Sequence, residues 1–408
     1  MAEIEYRAIG KDEIEAFLQA EGTGFGFVPD AEAVGHEAQL LELDRTVTAF
    51  DEGQVVGTSG SLTFDLSVPG GATLGAAGVT VVTVRPTHRR RGVLTSMMGR
   101  LFDDAIARGE AFAMLWASES VIYGRFGYGI GTEHEEWAIE RAHATLDRAV
   151  EAPGRLRMVD AAAAQSGWPA VWDRMRLERA GMPSRNERRW SRNFAETDWQ
   201  REGMSKAFYV QYEEDGRIDG YAIYRSSGEP IDGNAGGKAR VSEIVPATPA
   251  AHAALWRMLL DLDLTKTISA RQQPVDDALW WMLADPRRLV RRRHDALWLR
   301  LLDVPAALSA RRYAIEGRLV IEVLDEQVPS NARRWLLEGS PEGARCDPTD
   351  EAPDLVLPAA SLGSAYLGNA RFEALQRGLR LDERTAGAVA RADAMFVTPR
   401  APWCPEFF

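Results

Sequence analysis

The sequence predicts a mixed α+β protein of three units, the first two of which share one local plan. Three observations support this fold class. Short β-branched and apolar runs alternate with helix-length apolar stripes in the first part of the chain. A strand, turn and helix pattern at 78–101 recurs at 241–262. Beyond Leu297, strands come first and helices follow, which indicates a further α+β layer.

Length and composition narrow the class of protein. The 408 residues exceed one ordinary core, because a domain takes roughly 100–200 residues. The 60 acidic and 48 basic residues leave a formal charge of -12, which argues against a nucleic-acid binder and is compatible with cationic partners. No run reaches the ~18 apolar residues of a membrane span, and the N-terminus lacks a signal-peptide pattern. Cys346 and Cys404 form neither a redox motif nor a zinc site, so a reduced, cytoplasmic setting without a metal is expected.

The first unit is expected to be a sheet with helices. The segment Asp51-Glu52-Gly53 predicts a hairpin turn, since glycine tolerates the positive φ that such turns need. The run 78–84 is apolar or β-branched on both faces, which is typical of a central strand. The expected strands are 4–8, 46–51, 54–66, 78–84 and 111–116, followed by an aromatic, glycine-rich turn at 122–128.

An arginine-rich turn connects the central strand to a helix. Residues 87–95 read T-H-R-R-R-G-V-L-T. The first N–H groups of a helix have no intrahelical partner and lie at the positive end of its dipole, so anions bind there. Arg89, Arg90 and Arg91 would add cationic groups, and Gly92 would let phosphate oxygens approach the backbone. By itself, the turn fits a pyrophosphate site and a solvated basic helix start equally well.

The middle of the chain repeats this pattern without its arginines. The run 241–245 matches the central strand, and Thr248 matches Thr87. Without gaps, the positions that match Arg89 to Gly92 are Ala250, Ala251, His252 and Ala253. If the fold is duplicated, the second copy is expected to lack the anion site.

The third unit is expected to begin after the charge-rich stretch 285–293, interpreted as a solvated boundary. The run L-W-L-R-L-L from Leu297 would open it. Further strands are expected at 318–324, 333–337 and 354–357, and helices at 358–367 and 371–379. Trp403, Phe407 and Phe408 near the end carry apolar area, worth ~25 cal/mol per Å² when buried, so the tail is expected to be docked.

Several motifs together resemble one family of acetyltransferases. The arginine turn is similar to the coenzyme A pyrophosphate loop of the GNAT superfamily, Arg/Gln-x-x-Gly-x-Gly/Ala, with Leu94 in place of the final small residue. It is followed by A-S-E-x-x-I-Y-G-R-F-G-Y-G, W-R-x-L-L-x-L-D, D-x-L-W-L-R, L-G-S-x-Y-L-G and a C-terminal phenylalanine. In this order, over nearly the whole chain, these motifs resemble the mycobacterial enhanced intracellular survival (Eis) family.

This resemblance implies two tandem GNAT-like domains and a sterol carrier protein-like domain. The expected boundaries are 1–145 for a catalytic GNAT domain, 146–293 for a central GNAT-like domain lacking the pyrophosphate loop, and 294–408 for the C-terminal domain. It also implies a homohexamer that uses acetyl-CoA, without a metal, to acetylate primary amines of aminoglycosides or similar polycations, an activity linked to antibiotic resistance. The alternatives are acetylation of protein lysines and a non-catalytic acyl-CoA or lipid carrier.

The resemblance assigns roles to individual residues. Tyr123 is the expected general acid, with Tyr128 as its rival, because a phenol of pKa ~10 protonates a thiolate of pKa ~8.5 with little energy cost. The α-carboxylate of Phe408 is the expected general base, its pKa raised by burial; sealing of a domain interface is the alternative role. His88 is left out of catalysis. The residues expected to contact acetyl-CoA are Val82, Thr83, Val84, Arg89, Arg90, Arg91, Gly92, Val93, Leu94, Thr95, Ser118 and Glu119. Those expected to contact the amine, by ion pairing and cation–π contact, are Phe25, Phe27, Asp30 and Glu406.

Overall fold

The computed structural model describes residues 4–149, 151–228 and 236–408. The chain forms two compact units. Unit 1 contains the residues up to Thr132, then Ala296–Pro399 and Glu406–Phe408. Unit 2 contains Glu133–Asp295 and Arg400–Pro405. No helix among the described residues is long and apolar enough to cross a membrane.

The strands follow three segments of the chain. Up to Thr132 they are β1 Glu5–Arg7, β2 Thr48–Asp51, β3 Gln54–Ser67, β4 Thr73–Val84, β5 Phe112–Trp116 and β6 Gly129–Ile130. Up to Asp295 they are β7 Glu133–Glu140, β8 Arg155–Val159, β9 Phe208–Glu214, β10 Arg217–Ser227, β11 Gly237–Pro246, β12 Thr265–Gln273 and β13 Val290–Asp295. The remaining strands are β14 Leu297–Leu301, β15 Gly317–Leu324, β16 Arg334–Gly339, β17 Ala344–Pro348, β18 Leu355–Pro358 and β19 Asp382–Glu383.

The α-helices lie between these strands. The first segment contains α1 Ile14–Phe25, α2 Ala31–Ala38, α3 Val93–Ala107 and α4 Ser120–Tyr123. The second contains α5 Ala161–Glu178, α6 Glu187–Asn193, α7 Asp198–Arg201, α8 Pro249–Leu260 and α9 Leu279–Met282. The third contains α10 Val304–Ala310, α11 Ala359–Tyr366, α12 Phe372–Arg377 and α13 Ala388–Phe396.

The first sheet, in unit 1, has the strand order β1-β2-β3-β4-β5-β14-β6. The central pair β4 and β5 is parallel, and α3 connects the two strands. Met98, Leu101 and Phe102 of α3 pack into a buried cluster with Ala113 and Leu115 of β5, as the apolar stripe of this helix predicts. The predicted central strand is therefore confirmed, although it begins earlier than expected.

The second sheet, in unit 2, has the strand order β13-β7-β12-β11-β10-β9-β8. Its central pair β11 and β12 is parallel and is connected by α8, which repeats the plan of the first sheet. Position by position, β7 occupies the place that β14 has in the first sheet. The expected duplication is thus present as a fold.

The sheets do not follow the expected boundaries at 145/146 and 293/294. The strand β7 was assigned to the first domain, but it pairs with β12 and β13 of the second sheet. The strand β14 was assigned to the third domain, but it pairs with β5 and β6 of the first sheet. Pairing between strands far apart in sequence depends on tertiary packing, which a local pattern does not contain.

The last arginines of the stretch 285–293 lie in a sheet, which corrects part of their interpretation as a solvated boundary, whereas Arg287 and Arg288 lie in an exposed turn before it. The strand β13 pairs along β7, and Arg291 donates to Glu135 at 2.5 and 2.8 Å. Glu135 is buried, and the hydrogen bonds from Arg291 lower its pKa against the opposing effect of desolvation, the largest single influence. Arg291 and Arg293 therefore pair with acids on the neighbouring strand.

The third sheet, also in unit 1, has the strand order β17-β16-β15-β18-β19. Its expected strands and helices are present, while β17, β19, α10 and α13 were not expected. Arg300 of β14 is fully buried, and it donates to the carboxylate of Asp325 at 2.7 and 2.9 Å and to the carbonyl of Phe126. This arginine links the first sheet to the loop after β15, because a buried guanidinium requires such partners.

Candidate active site

The candidate site of unit 1 begins where β4 and β5 diverge. The two strands pair over Ala76–Gly78, whereas β4 continues to Val84. The N–H of Arg85 donates to Val56 of β3 at 2.9 Å. Because backbone groups alternate in direction along a strand, those of Val84 and Val82 face away from β3, toward the open edge. This edge directs backbone N–H and C=O groups to the side of β4 away from β3, where an extended ligand could pair with them.

The arginine turn brings an open helix start to the same end of β4. Gly92, at φ 81°, is the N-cap of α3 and provides no side-chain hydrogen bond. Asp51 lies 3.0 Å from Nε2 of His88 and 3.6 Å from Nη1 of Arg91, so it holds two side chains of the turn. Arg90, at φ 63°, makes no hydrogen bond or ion pair within the described part of the chain. The turn therefore combines uncapped N–H groups with an available guanidinium.

The other predicted residues of the turn have different environments. Arg89 reaches the carbonyls of Val84 and Gly24 at 3.4 Å, which is too long for strong hydrogen bonds. Val93 is buried and anchors the first turn of α3, whereas Thr95 is exposed and Leu94 is half-buried. An anion at the start of α3 would therefore contact mainly backbone groups of residues 93–95.

Tyr123 is the last residue of α4 and is buried. Burial raises its pKa above the ordinary value, the charge of Glu119 acts in the same direction, and a hydrogen bond from Ser118 opposes them. The ring of Tyr128 lies edge-on to it at 6.0 Å. Desolvation raises the pKa of the fully buried Tyr128 much further, which makes its proton harder to transfer. Of the two phenols, Tyr123 has the better properties for an acid.

The C-terminal residues of unit 1 lie beside the divergence of the two strands. Nε1 of Trp116, the last residue of β5, donates to the carbonyl of Glu406 at 2.8 Å. The ring of Phe408 lies 5.0 Å from that of Phe64, and a Cβ on Gly78 would lie 3.1 Å from it. Phe408 is 8 % exposed, which confirms that the end of the chain is docked.

The two residues before Phe408 differ in part from the expected docking and substrate contact. The ring of Phe407 contacts Trp116 at 5.4 Å but is 52 % exposed. The side chain of Glu406 is buried, so it does not present an exposed carboxylate to a cationic substrate as expected.

The loop after α1 lies beside the open half of β4. A Cβ on Gly24 would collide with the hydroxyl of Thr83, so the end of α1 rests directly on β4 and the Thr83 side chain is used in packing. Phe25 and Phe27 are both exposed near this contact, and Asp30 is exposed before α2. The structure thus places Phe25 directly after the contact between Gly24 and Thr83, with Phe27 and Asp30 a few residues further along the chain.

Sequence reasoning did not identify four residues that shape the site. Asp51 was interpreted as part of a hairpin turn, whereas Trp116, Phe64 and Gly78 were interpreted as strand residues. A glycine within an apolar strand is a signal of close approach by another group, and Gly78 fits this signal. The other three had no local signal, since their partners are distant in sequence.

An acidic pair near the same loop was also missed. Glu21 of α1 is largely buried, and desolvation, together with the charge of Glu37 on α2, raises its pKa to about 7. A carboxyl group of this kind ionises more readily when a cation approaches.

The central copy has no counterpart of the arginine turn. The strand β11 ends at Pro246 and α8 begins at Pro249, whereas β4 ends at Val84 and α3 begins at Val93. Ala250–Ala253 therefore lie inside α8, which corrects the ungapped alignment: the turn is absent and its arginines are not replaced by other residues. The Thr248 hydroxyl accepts from the N–H of Ala251 at 3.1 Å and caps the helix.

Comparison with protein families agrees with this architecture. Models described as an acetyltransferase (GNAT) domain match residues 5–131 and 181–307. A model described as a sterol carrier protein domain matches residues 304–405. These matches confirm the predicted fold class of tandem GNAT-like domains followed by a sterol carrier protein-like domain.

Named relatives and a solved structure resemble the whole chain. An uncharacterized N-acetyltransferase of Streptomyces avermitilis is 39% identical over 408 residues, covering 98% of this chain and 99% of the relative. The N-acetyltransferase Eis of Mycobacterium tuberculosis is 36% identical over 353 residues, covering 85% of this chain and 84% of the relative. The crystal structure of Eis1 from Mycobacterium abscessus has a TM-score of 0.87 at 34% identity, covering 99% of this chain and 100% of that one. The chain therefore belongs to the Eis family of GNAT N-acetyltransferases and is an enzyme that transfers acetyl groups to amines.

Proposed function

We propose that the protein transfers the acetyl group of acetyl-CoA to primary amines of aminoglycosides or similar polycations. One observation carries this proposal. In unit 1, the open edge of β4 lies between an uncapped basic helix start and the docked C-terminal phenylalanine. Direct transfer of an acetyl group needs an anion site for the donor and groups that move protons, and these residues could supply them.

The residues at the divergence of β4 and β5 fit acetyl-CoA. The open N-terminus of α3 and the available Arg90 suit a pyrophosphate, which accepts hydrogen bonds from backbone N–H and guanidinium groups. The outward backbone groups of Val82 and Val84 suit the amides of the pantetheine arm, in the manner of an added strand. Arg89, Arg91, Leu94 and Thr95 would surround the phosphates, while Ser118 and Glu119 would border the thioester end.

In the proposed reaction, the amine nitrogen attacks the carbonyl carbon of the thioester, a C–N bond forms and the C–S bond breaks. The N–H of Val84 at the open edge would stabilise the negative charge that develops on the carbonyl oxygen. The Tyr123 phenol would donate its proton to the departing thiolate. Because burial keeps this phenol protonated, it remains an acid throughout the neutral pH range.

The proton released from the amine needs an acceptor. We propose the α-carboxylate of Phe408, reached directly or through one water. The aromatic side chains of Phe64 and Phe408 and the strand β4 limit the access of water at this end of the chain. Such surroundings raise the pKa of a carboxylate and make it a stronger base.

The surroundings of the open edge support a polycationic substrate. Phe25 and Phe27 expose aromatic faces for cation–π contact, and Asp30 offers a negative charge nearby. Glu21, with a pKa of about 7, would become negatively charged beside a bound cation. The formal charge of -12 over the chain acts in the same direction at longer range.

The likeness to the Eis family also supports a homohexamer in the cytoplasm. Sedimentation of the purified protein at several concentrations tests this assembly. A mass equal to one chain at all concentrations would contradict it.

The activity is tested by incubating the full-length protein with acetyl-CoA and a panel of aminoglycosides while free thiol is measured. We expect thiol release that depends on the aminoglycoside, and an acetylated product with the corresponding mass. A lysine-containing peptide in a parallel reaction tests the alternative substrate class. Release with the peptide alone would favour protein lysine acetylation, and no amine-dependent release would refute the proposal.

A further inference from the structure

The C-terminal tail docks on the central sheet at the place where its two parallel strands separate. In unit 2, β11 and β12 pair only as far as Val241 and Ala270, although both strands continue beyond these residues. Trp403 is 2 % exposed and belongs to one buried cluster with Val245 of β11. Its Nε1 donates to the carbonyl of Gln272 on β12 at 2.7 Å. The indole therefore lies at the unpaired ends of both strands.

The first sheet has a corresponding place, where β4 and β5 separate beyond Gly78 and Met114. The ring of Phe408 lies close to Gly78 at this point, and the edge of β4 beyond it remains available to the donor. Trp403 has the matching place in unit 2, since β11 and β12 correspond to β4 and β5. The same short tail therefore contributes one aromatic residue to the separating strands of each copy.

An ion pair of unit 2 holds the backbone just before Trp403. Arg179, at the end of α5, is buried and donates to the carboxylate of Asp276 and, through Nε, to the carbonyl of Ala401 at 3.0 Å. Asp276 in turn accepts from the N–H of Ala401 at 2.8 Å. The N–H of Trp403 donates to the carbonyl of Ala180 at 2.9 Å. The tail is thus held by its backbone as well as by its indole, and hydrogen bonds to charged groups are among the strongest in proteins.

A short and restricted segment connects this anchor to the last residue. Residues 400–405 belong to unit 2, and the last three residues belong to unit 1. Pro402 and Pro405 are both buried, and each proline ring fixes its own φ angle. Five residues span at most about 17 Å when fully extended. Anchoring Trp403 therefore limits the volume that the α-carboxylate of Phe408 can explore.

We propose that the central GNAT-like copy serves as the docking domain for the C-terminal tail, and that Trp403 is a positioning residue for the α-carboxylate of Phe408. This inference rests on the proposed function, in which that carboxylate accepts the proton of the amine. Without the anchor, the carboxylate would be in place for a smaller fraction of the time, which slows a step that needs exact placement. Binding of acetyl-CoA would not change, because its proposed contacts are the arginine turn and β4.

Steady-state kinetics of the full-length protein tests the positioning role. Trp403→Ala should lower kcat by about tenfold and leave KM for acetyl-CoA unchanged. Trp403→Phe keeps an aromatic ring in the cluster and loses only the hydrogen bond to Gln272, so it should recover most of kcat. Leu259→Ala is the matched control, since this leucine is likewise buried in unit 2 but belongs to the cluster without Trp403. It should leave kcat unchanged.

Digestion with carboxypeptidase A measures docking of the tail without acetyl transfer. This enzyme removes C-terminal aromatic residues, and it requires a chain end that leaves its docking site. We expect phenylalanine to be released about tenfold faster from Trp403→Ala than from the wild type or from Leu259→Ala. Thermal unfolding checks that each variant is folded, and Trp403→Leu replaces Trp403→Ala in both measurements if the alanine variant is not.

The two measurements separate this inference from the proposed function. A wild type that releases no thiol with any amine would contradict the proposed function, while the digestion would still report whether Trp403 docks the tail. Equal release of phenylalanine from Trp403→Ala and Leu259→Ala would overturn the docking role. Faster release with kcat equal to that of the wild type would overturn the positioning role.

Discussion

The two GNAT-like sheets have the same strand order but differ in the connection from central strand to helix. In unit 1, residues 85–92 separate β4 from α3, and the helix start is left open by Gly92. In unit 2, residues 247–248 separate β11 from α8, and Thr248 closes the helix start with its own hydroxyl. The longer connection leaves the first N–H groups of α3 without a side-chain cap, which suits an anion, whereas in the shorter connection a threonine hydroxyl caps α8.

A second difference follows the next strand of each sheet. The four-residue helix α4 ends in Tyr123, while α9, the four-residue helix after β12, ends in Met282. The central copy therefore has neither the open helix start nor a tyrosine at the position that matches Tyr123. The comparison teaches that the two copies share the sheet as a scaffold and differ in the short connections at its edge, which is where function usually resides.

The largest effect is expected from the difference between α4 and α9. Tyr123→Phe should lower kcat by about a hundredfold or more, because general acids typically contribute 10²–10⁴-fold. Steady-state kinetics should show little change in KM for acetyl-CoA. Trp281→Phe in α9, where the side chain is 83 % exposed, is the matched control and should have no effect. An unchanged kcat in Tyr123→Phe would move the acid role to another group.

The next effect concerns the C-terminal tail, of which one part belongs to unit 2 and the last three residues belong to unit 1. Trp403 is buried in the core of unit 2 and donates to the carbonyl of Gln272 at 2.7 Å, whereas Phe408 lies at the candidate site of unit 1. One alanine appended after Phe408 displaces the carboxylate and should lower kcat by roughly tenfold to a hundredfold. The same residue added at the N-terminus serves as control. Equal kcat values would exclude the carboxylate as base.

The arginine turn should affect binding of the donor more than turnover. Arg90→Ala combined with Arg91→Ala should raise KM for acetyl-CoA by about tenfold or more, since each charge-assisted hydrogen bond contributes roughly 1.5–3 kcal/mol in favourable geometry. Arg287→Ala, at an exposed turn of unit 2, is a matched control that should leave KM unchanged. A flat response in the double variant would place the pyrophosphate elsewhere.

The smallest effect is expected from the closed helix start of unit 2. Thr248→Ala removes the cap of α8 and should lower the free energy of unfolding by about 1 kcal/mol without changing KM. Thr87→Ala is the counterpart in unit 1, where the hydroxyl contacts His88 and does not cap α3. Urea denaturation should show a smaller loss for Thr87→Ala. An equal or larger loss there would contradict the inference that only the helix start of unit 2 is stabilised by its threonine.

Local pattern predicted much of this molecule. The strand lengths of β3 and β15, the hairpin turn at Asp51 and the helix after Gly92 all follow from side-chain periodicity and glycine conformation. The arginine turn was recognised because its chemistry is contained in consecutive residues. Tyr123 was predicted as the general acid through family resemblance alone, since its neighbours in sequence fit an aromatic packing residue equally well.

The missed features are those that depend on distant partners. The pairing of β7 with β12 and of β14 with β5 decided where the units divide. The hydrogen bond from Trp116 to Glu406 joins residues far apart in the chain, and it holds the last residues beside β4. The ungapped alignment suggested that other residues replace the arginines in the central copy, whereas the whole turn before α8 is missing. Two connections of different length can be aligned by eye without a gap, so the difference in length was not recognised.

The sequence by itself determined the fold class, the basic helix start and the absence of such arginines in the central copy, because each is encoded in contiguous residues whose conformational preferences are local. The tertiary structure alone decided that β4 and β5 separate beyond Gly78, that Phe408 docks at this point, and that the hydroxyl of the buried Tyr128 has no hydrogen-bond partner among the described residues. These features arise from burial and hydrogen bonding between segments that are far apart in sequence. The free energy of these long-range interactions exceeds the local conformational preferences, and no pattern of neighbouring residues reports it.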